Sequence, residues 1–107
     1  MTKGKHLGEL EQLVLLAILQ LGDDAYGTAV MGELQQRGGR SVSRGVLYVT
    51  LDRMEAKGLL SSRTGETSPR RGGKPRRYLS VTPEGRRSLQ ESRDTLARMW
   101  EGLLRIG

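Results

Sequence analysis

Basic side chains are concentrated in one part of this 107-residue sequence, where their spacing indicates binding of a polyanion. The segment from Ser61 to Arg87 holds eight basic and two acidic residues, so its net charge of +6 equals that of the whole chain. Such a patch attracts nucleic acid, because each phosphate that it neutralises releases condensed counterions. A solvated charged loop is the alternative interpretation. The basic residues are Arg63, Arg70, Arg71, Lys74, Arg76, Arg77, Arg86 and Arg87.

Residue types that support catalysis or bind metals are scarce. The sequence has no Cys, and its single histidine, His6, precedes the first predicted helix. Disulfides, thiolate nucleophiles and the common structural zinc sites are therefore excluded, and no general base with an orienting partner can be built. We predict no catalytic residue, no metal, no cofactor and no enzyme. The lack of Cys favours the cytoplasm, and no apolar stretch is long enough to span a bilayer.

Apolar residues at helical spacing predict three helices in the first half of the chain. The first covers Leu10 to Leu21, the second runs from Tyr26 to Arg37, and the third is capped by Ser43 and closed by Gly58. The inner face of the second helix is predicted to be Tyr26, Val30 and Leu34, and that of the third Val46, Leu47, Thr50, Leu51 and Met54.

The second and third helices form a candidate helix-turn-helix, whose third helix would lie in the major groove of DNA. Free amides after Ser43 suit a phosphate, and Gly45 lets the backbone approach closely. Asp52 and Glu55 repel phosphates, so only the first turns should dock. The predicted DNA contacts on this helix are Ser43, Arg44, Gly45, Tyr48 and Val49.

A hairpin with a cationic loop is predicted to follow. Its strands are Leu59 to Thr64 and Arg77 to Val81, and the loop from Gly65 to Arg76 is rich in Gly, Pro and Arg. A slender loop of this kind can enter a minor groove or lie along phosphates, whereas the alternative is a surface loop charged for solubility. The predicted DNA contacts here are Arg63, Arg70, Arg71, Lys74 and Arg76.

A long, one-sided helix is predicted from the Thr82 cap and Pro83 to about Ile106. Its apolar residues alternate by three and four, as in helices that pack along their length. Roughly 24 residues span about 36 Å, which is longer than so small a domain covers, so the seam should meet a second copy. The predicted homodimer interface is Leu89, Leu96, Met99, Trp100 and Leu103.

Trp100, the single tryptophan, has two interpretations. It fills the dimer interface, or it is a platform on which a small aromatic effector stacks in a cavity between the subunits. Quenching of its fluorescence by flat aromatic cations would favour the second interpretation.

Three segments together resemble the PadR family of transcriptional regulators. They are AYG at Ala25 to Gly27, VSRGVLYVTLDRMEAKGLL at Val42 to Leu60 and GGKPRRYLSVTPEGRR at Gly72 to Arg87. The resemblance extends over about residues 7 to 104. It implies a winged helix-turn-helix, a C-terminal dimerisation element, repression of promoters and, often, release by a small effector. It also implies that Tyr48 and the basic hairpin residues contact DNA.

We therefore predict a mainly α fold with a small β-hairpin: a winged helix-turn-helix over residues 7–82 and a dimerisation helix over residues 83–107, similar to the compact branch of that family. The predicted function is a sequence-specific regulator, a repressor that binds a pseudo-palindromic operator in double-stranded DNA as a homodimer and is released by a small-molecule effector. The alternative is a non-sequence-specific nucleic-acid-binding or protein-interaction module. Members commonly have Pro where this chain has Val49, so contacts at the helix start should differ.

Overall fold

Helices and one hairpin make up the fold, and the predicted class is confirmed. The computed structural model describes residues 7–67, 72, 75–104 and 106. Within those ranges no helix combines the length and the apolar character that a membrane span requires. The elements are α1 (Glu9–Leu21), a 3-10 turn (Gly22–Asp24), α2 (Gly27–Gln36), α3 (Arg44–Ala56), β1 (Leu60–Thr67), β2 (Pro75–Val81) and α4 (Pro83–Trp100).

The core is built around α1, which packs against α2, α4 and β2. Apolar residues lie on most sides of this helix, so it can be covered from several directions at once. Val14 and Leu15 are fully buried, and the hairpin adds Leu60 and Leu79 to the same cluster. The hairpin is therefore fixed to the helices by the core as well as by the chain.

The inner face of α3 is narrower than predicted. Leu47, Thr50, Leu51 and Met54 are buried as expected, but Val46 is 51% exposed. At about 100° per residue, Val46 lies roughly 40° beyond the arc that the four buried residues span. The Thr50 hydroxyl, although buried, donates to the carbonyl oxygen of Val46 at 2.7 Å. A threonine is therefore tolerated inside while a valine lies outside.

Tyr26 was also predicted on an inner face, that of α2. It is instead the half-buried residue just before that helix, where it forms an isolated bridge with Tyr78. The buried residues of α2 are Gly27, Val30 and Leu34.

Both strands of the antiparallel hairpin are longer than predicted, because β1 continues to Thr67 and β2 begins at Pro75. Gly65, which the sequence placed in the loop, lies in β1 beneath the Tyr78 ring, and a Cβ atom there would collide with that ring. Glycine is thus required by strand packing at this position and does not mark a turn. Arg76 consequently lies in β2, whereas the predicted loop contacts Arg70, Arg71 and Lys74 fall outside the described residues.

Helix α4 starts as predicted. The Thr82 hydroxyl accepts from the Gly85 amide at 3.0 Å and donates to the Gly58 carbonyl oxygen at 2.5 Å. Gly85 is buried, and a Cβ atom on it would collide with the carbonyl oxygen of Leu59. The close approach of α4 to the base of the hairpin therefore depends on this glycine.

The far end of α4 was predicted wrongly, since the helix stops at Trp100 instead of near Ile106. Gly102 has a φ of +84°, a left-handed conformation that ends helices and that glycine adopts without strain. The Leu103 amide then donates to the Trp100 carbonyl oxygen at 2.8 Å. Leu103, predicted as an interface residue on the helix, lies beyond its end and is 51% exposed.

Candidate nucleic-acid interface

The first turn of α3 is open to solvent. Ser43 caps it, because its hydroxyl oxygen accepts from the Val46 amide at 3.2 Å. Arg44 and Gly45 are exposed, and no atom lies within 4 Å of the point where Gly45 would carry a Cβ. A partner can therefore approach the backbone of α3 closely at its N-terminal end.

Tyr48 leaves the exposed face of α3 and packs toward α2. It is half-buried and touches the core, and a Cβ at Gly27 would collide with its hydroxyl oxygen. The phenol thus lies against the first turn of α2 and fixes the angle between the two helices of the helix-turn-helix. Val49, in contrast, is 57% exposed.

Two of the arginines predicted to contact DNA stack on tyrosine rings. The guanidinium carbon of Arg63 lies 4.7 Å from the ring centroid of Tyr78, and that of Arg76 lies 3.9 Å from the ring centroid of Tyr26. The two rings meet edge to face, with centroids 5.8 Å apart. Such stacking orients each cation while its charge stays available to a partner. Sequence reasoning missed both tyrosines as site residues, because their contacts join distant parts of the chain.

Helix α2 and the hairpin are tied together at the same point. The Leu79 amide donates to the Ala25 carbonyl oxygen at 2.8 Å. Because Tyr48 touches Gly27 and Arg76 stacks on the adjacent Tyr26, a continuous series of contacts links α3 to β2. The packing of α2 therefore fixes the position of β2 relative to α3.

Arg77 is held within the protein by α3. Its Nη1 donates to Asp52 at 3.0 Å and its Nη2 to Glu55 at 2.7 Å. The Ser62 hydroxyl also bonds Glu55, at 2.9 Å. The hydrogen bonds from Arg77 and Ser62 lower the pKa of Glu55 below its usual value, so this carboxylate is charged at neutral pH. The two acids predicted to repel phosphates are thus partly neutralised by the hairpin.

The predicted DNA contacts can now be located. Those on α3 lie at its N-cap and in its first two turns. Arg63 and Arg76 lie on the hairpin, where they stack on Tyr78 and Tyr26. Across the described ranges, no group of three or more acidic, histidine or cysteine side chains could hold a metal ion. The contacts within the described part of the chain are Ser43, Arg44, Gly45, Tyr48, Val49, Arg63 and Arg76.

A second surface lies on α4. Its side chains border a groove of about 550 Å³ between α1 and α4, which is lined by Leu16, Leu19, Leu89 and Leu96 among others. Of the predicted dimer residues, Leu89 is half-buried and packed against the core. Leu96, Met99 and Trp100 are 51%, 72% and 47% exposed.

Comparisons with known proteins identify the family of the chain. Residues 15–91 match the model of a family described as the Transcriptional regulator PadR-like family. The chain belongs to this family. Its resemblance to PadR regulators and its winged helix-turn-helix fold are thereby confirmed.

Individual PadR-like relatives match most of the chain. The Transcriptional regulator Rv3488 of Mycobacterium tuberculosis (strain ATCC 25618 / H37Rv) is 39% identical over 77 residues, which are 72% of this chain and 67% of that protein. A PadR family regulator from Eggerthella lenta DSM 2243 has a TM-score of 0.66 at 34% identity, covering 89% of this chain and 82% of the other. A PadR-like regulator from Bacillus cereus strain ATCC 14579 has a TM-score of 0.68 at 28% identity, covering 92% and 93%. The family and these names indicate DNA-binding transcriptional regulation.

Proposed function

We propose that this PadR-like chain is a sequence-specific repressor that acts in the cytoplasm as a homodimer. Helix α3 enters the major groove, and the basic hairpin lies on the phosphates or in the adjacent minor groove. The observation that carries the proposal is the exposed first turn of α3 at Arg44 together with Arg76 on the hairpin. The packing of Tyr48 on Gly27 and of Arg76 on Tyr26 sets the position of the hairpin relative to α3. This arrangement combines an open helix start with oriented cations, which are the two parts that reading and anchoring require.

The exposed end of α4 supports pairing of two copies. Leu96 lines the groove between α1 and α4, and Met99 and Trp100 on the same helix are further exposed apolar side chains. Burying these side chains against those of a second copy gives a two-fold dimer. Its two α3 helices then face half-sites about 34 Å apart, so the operator is a pseudo-palindrome.

Trp100 supports release by a small effector as an additional role. The residue is 47% exposed in one chain, so its ring can stack on a planar aromatic molecule between two subunits. Flat aromatic cations should then quench its fluorescence and lower operator affinity together. Quenching without any change in affinity would contradict the release.

The deciding experiment compares two duplexes of equal length at physiological salt. One is enriched from random DNA by the protein itself, and the other is its scrambled sequence. A sequence-specific regulator should prefer the first by about 10³-fold or more. A ratio near one would replace the proposal with a nucleic-acid module that lacks sequence preference, and failure to enrich any duplex would leave a protein-interaction module.

Arg76→Gln tests whether the hairpin anchors on phosphate. The variant should bind all sequences more weakly and reduce the slope of log affinity against log salt by about 0.9, the value for one phosphate contact. Arg98→Gln removes the same charge from the exposed side of α4 and is the matched control. An unchanged slope in Arg76→Gln would show that the cation does not contact DNA.

A further inference from the structure

Two valines on α3 leave about half of their surface exposed in the described chain. Val46 is 51% exposed and Val49 is 57% exposed, whereas Val14 and Val30 are fully buried in the core. The exposed part of each valine side chain stays in contact with water, which is unfavourable in free energy relative to burial. Burying them against another molecule would recover this cost.

Their spacing places both on one edge of the helix. Residues three apart are neighbours on a helix surface and are separated by about 4.5 Å along its axis. Valine has one strongly preferred rotamer in a helix, so both side chains are rigid before contact. The backbone at Gly45, one residue before this pair, is open to close approach.

The polar groups beside the valines are already engaged. The Ser43 oxygen accepts from the Val46 amide, the Tyr48 hydroxyl lies against Gly27, and Asp52 bonds Arg77. Arg44 is the exposed cation in the first turn. The middle of this face therefore offers apolar contact in place of hydrogen bonds.

The charge around the valines selects the occupant. Arg44 lies on the same helix, and Arg63 and Arg76 are presented by the neighbouring hairpin, so the surroundings favour a polyanion over an apolar protein surface. In the major groove the apolar feature of the base-pair edges is the 5-methyl group of thymine. Successive bases rise by about 3.4 Å, close to the axial separation of the valines.

We propose that Val46 and Val49 read thymine methyl groups on neighbouring base pairs of each half-site. This inference rests on the proposed function and adds a specificity-determining role for the two valines. Removing one methyl group from the duplex should weaken binding about fourfold, the value for one buried carbon.

The test replaces thymine by deoxyuridine, which lacks that methyl group, at each position in turn of the duplex enriched by the full-length protein. We expect one or two thymines in each half-site whose replacement weakens binding about fourfold, and no effect outside the half-sites. The scan is repeated with Val46→Ala and Val49→Ala, which are exposed truncations that spare the core. Each should abolish sensitivity at its own thymine and leave the other intact. Thr95→Ala, on α4, is the control that should retain the native pattern.

The outcomes separate this inference from the proposed function. If the native protein prefers the enriched duplex but tolerates deoxyuridine everywhere, the methyl contact is refuted while the regulator remains. Persistence of full sensitivity in both alanine variants would refute it equally, because another group must then read the methyl. If no duplex is enriched at all, the proposed function fails first and the methyl contact fails with it.

Discussion

The surface formed by α3 and the hairpin differs from the end of α4 in how far one chain completes it. On the first surface the charged and aromatic side chains have partners: Arg77 bonds two acids, Tyr48 fills the space at Gly27, and Arg63 stacks on Tyr78. On the second, Met99 is 72% exposed, and Leu96, which lines the open groove, is 51% exposed. The surface that we propose to read a rigid duplex benefits from preset geometry, whereas the surface that we propose for pairing would be completed by a second copy.

The largest expected effect comes from Leu96→Glu, which attacks the unfinished surface. A buried, unpaired carboxylate in the interface should give monomers of 11.8 kDa and weaken operator binding by at least about 100-fold. Thr95→Glu adds the same charge one residue away, beside Glu91, Asp94 and Arg98, and should leave the dimer intact. Light scattering after size exclusion gives the mass, and an unaltered dimer in Leu96→Glu would refute the proposed interface.

Gly85→Ala should cause the next largest change, because it separates the two surfaces at their junction. The added methyl group collides with the Leu59 backbone, so α4 must shift away from the hairpin at a cost of about 3 kcal/mol of unfolding free energy. Gly32→Ala, in α2, meets no atom within 4 Å and should stabilise by about 0.5 kcal/mol or more. Urea denaturation measures both. Equal effects of the two substitutions would mean that the junction is not tightly packed.

Arg77→Gln tests the ion pairs between the hairpin and α3 and should have the smallest effect. Losing both ion pairs, which are partly exposed, should lower the free energy of unfolding by about 1 kcal/mol at neutral pH. The folded state lowers the pKa of Glu55, so its contribution is complete above the ordinary glutamate pKa of about 4.3 and is lost as the pH falls through the lowered value.

The difference between native protein and Arg77→Gln should therefore shrink in acid. Denaturation curves at neutral pH and at a series of pH values below about 4 measure it. Arg98→Gln, an exposed arginine on α4, is the control and should change stability by less than about 0.5 kcal/mol. A difference that stays constant with pH would show that Arg77 does not act through Glu55.

Local sequence patterns predicted most of the helices and strands, but they did not predict contacts between residues that are distant in the sequence. Apolar spacing located all four helices, and the Ser43 and Thr82 caps are where the sequence indicated them. The end of α4 was missed because the apolar seam continues past Gly102, whose positive φ stops the helix. Periodicity measures which side of a helix is apolar and carries no information on where the backbone leaves it.

The candidate site likewise contains residues that the sequence could predict and contacts that it could not. Arg44 and Gly45 follow from the position of a capped helix start, so sequence alone could name them. Arg77 bonds acids that lie 25 and 22 residues earlier in the chain, and Tyr26 meets Tyr78 across the fold. Spacing along the chain does not report such pairs, because they form only once α2, α3 and the hairpin are packed.

The Thr82 hydroxyl makes two hydrogen bonds that link α3 to α4. It donates to the carbonyl oxygen of Gly58, which follows α3, and accepts from the Gly85 amide in the first turn of α4. Unwinding of the first turn of α4 displaces the Thr82 hydroxyl and so breaks its hydrogen bond to the Gly58 carbonyl oxygen. Fraying at the end of α3 displaces that carbonyl and breaks the same bond. The C-terminal end of α3 and the N-terminal end of α4 are therefore expected to open together, as one cooperative unit in amide exchange.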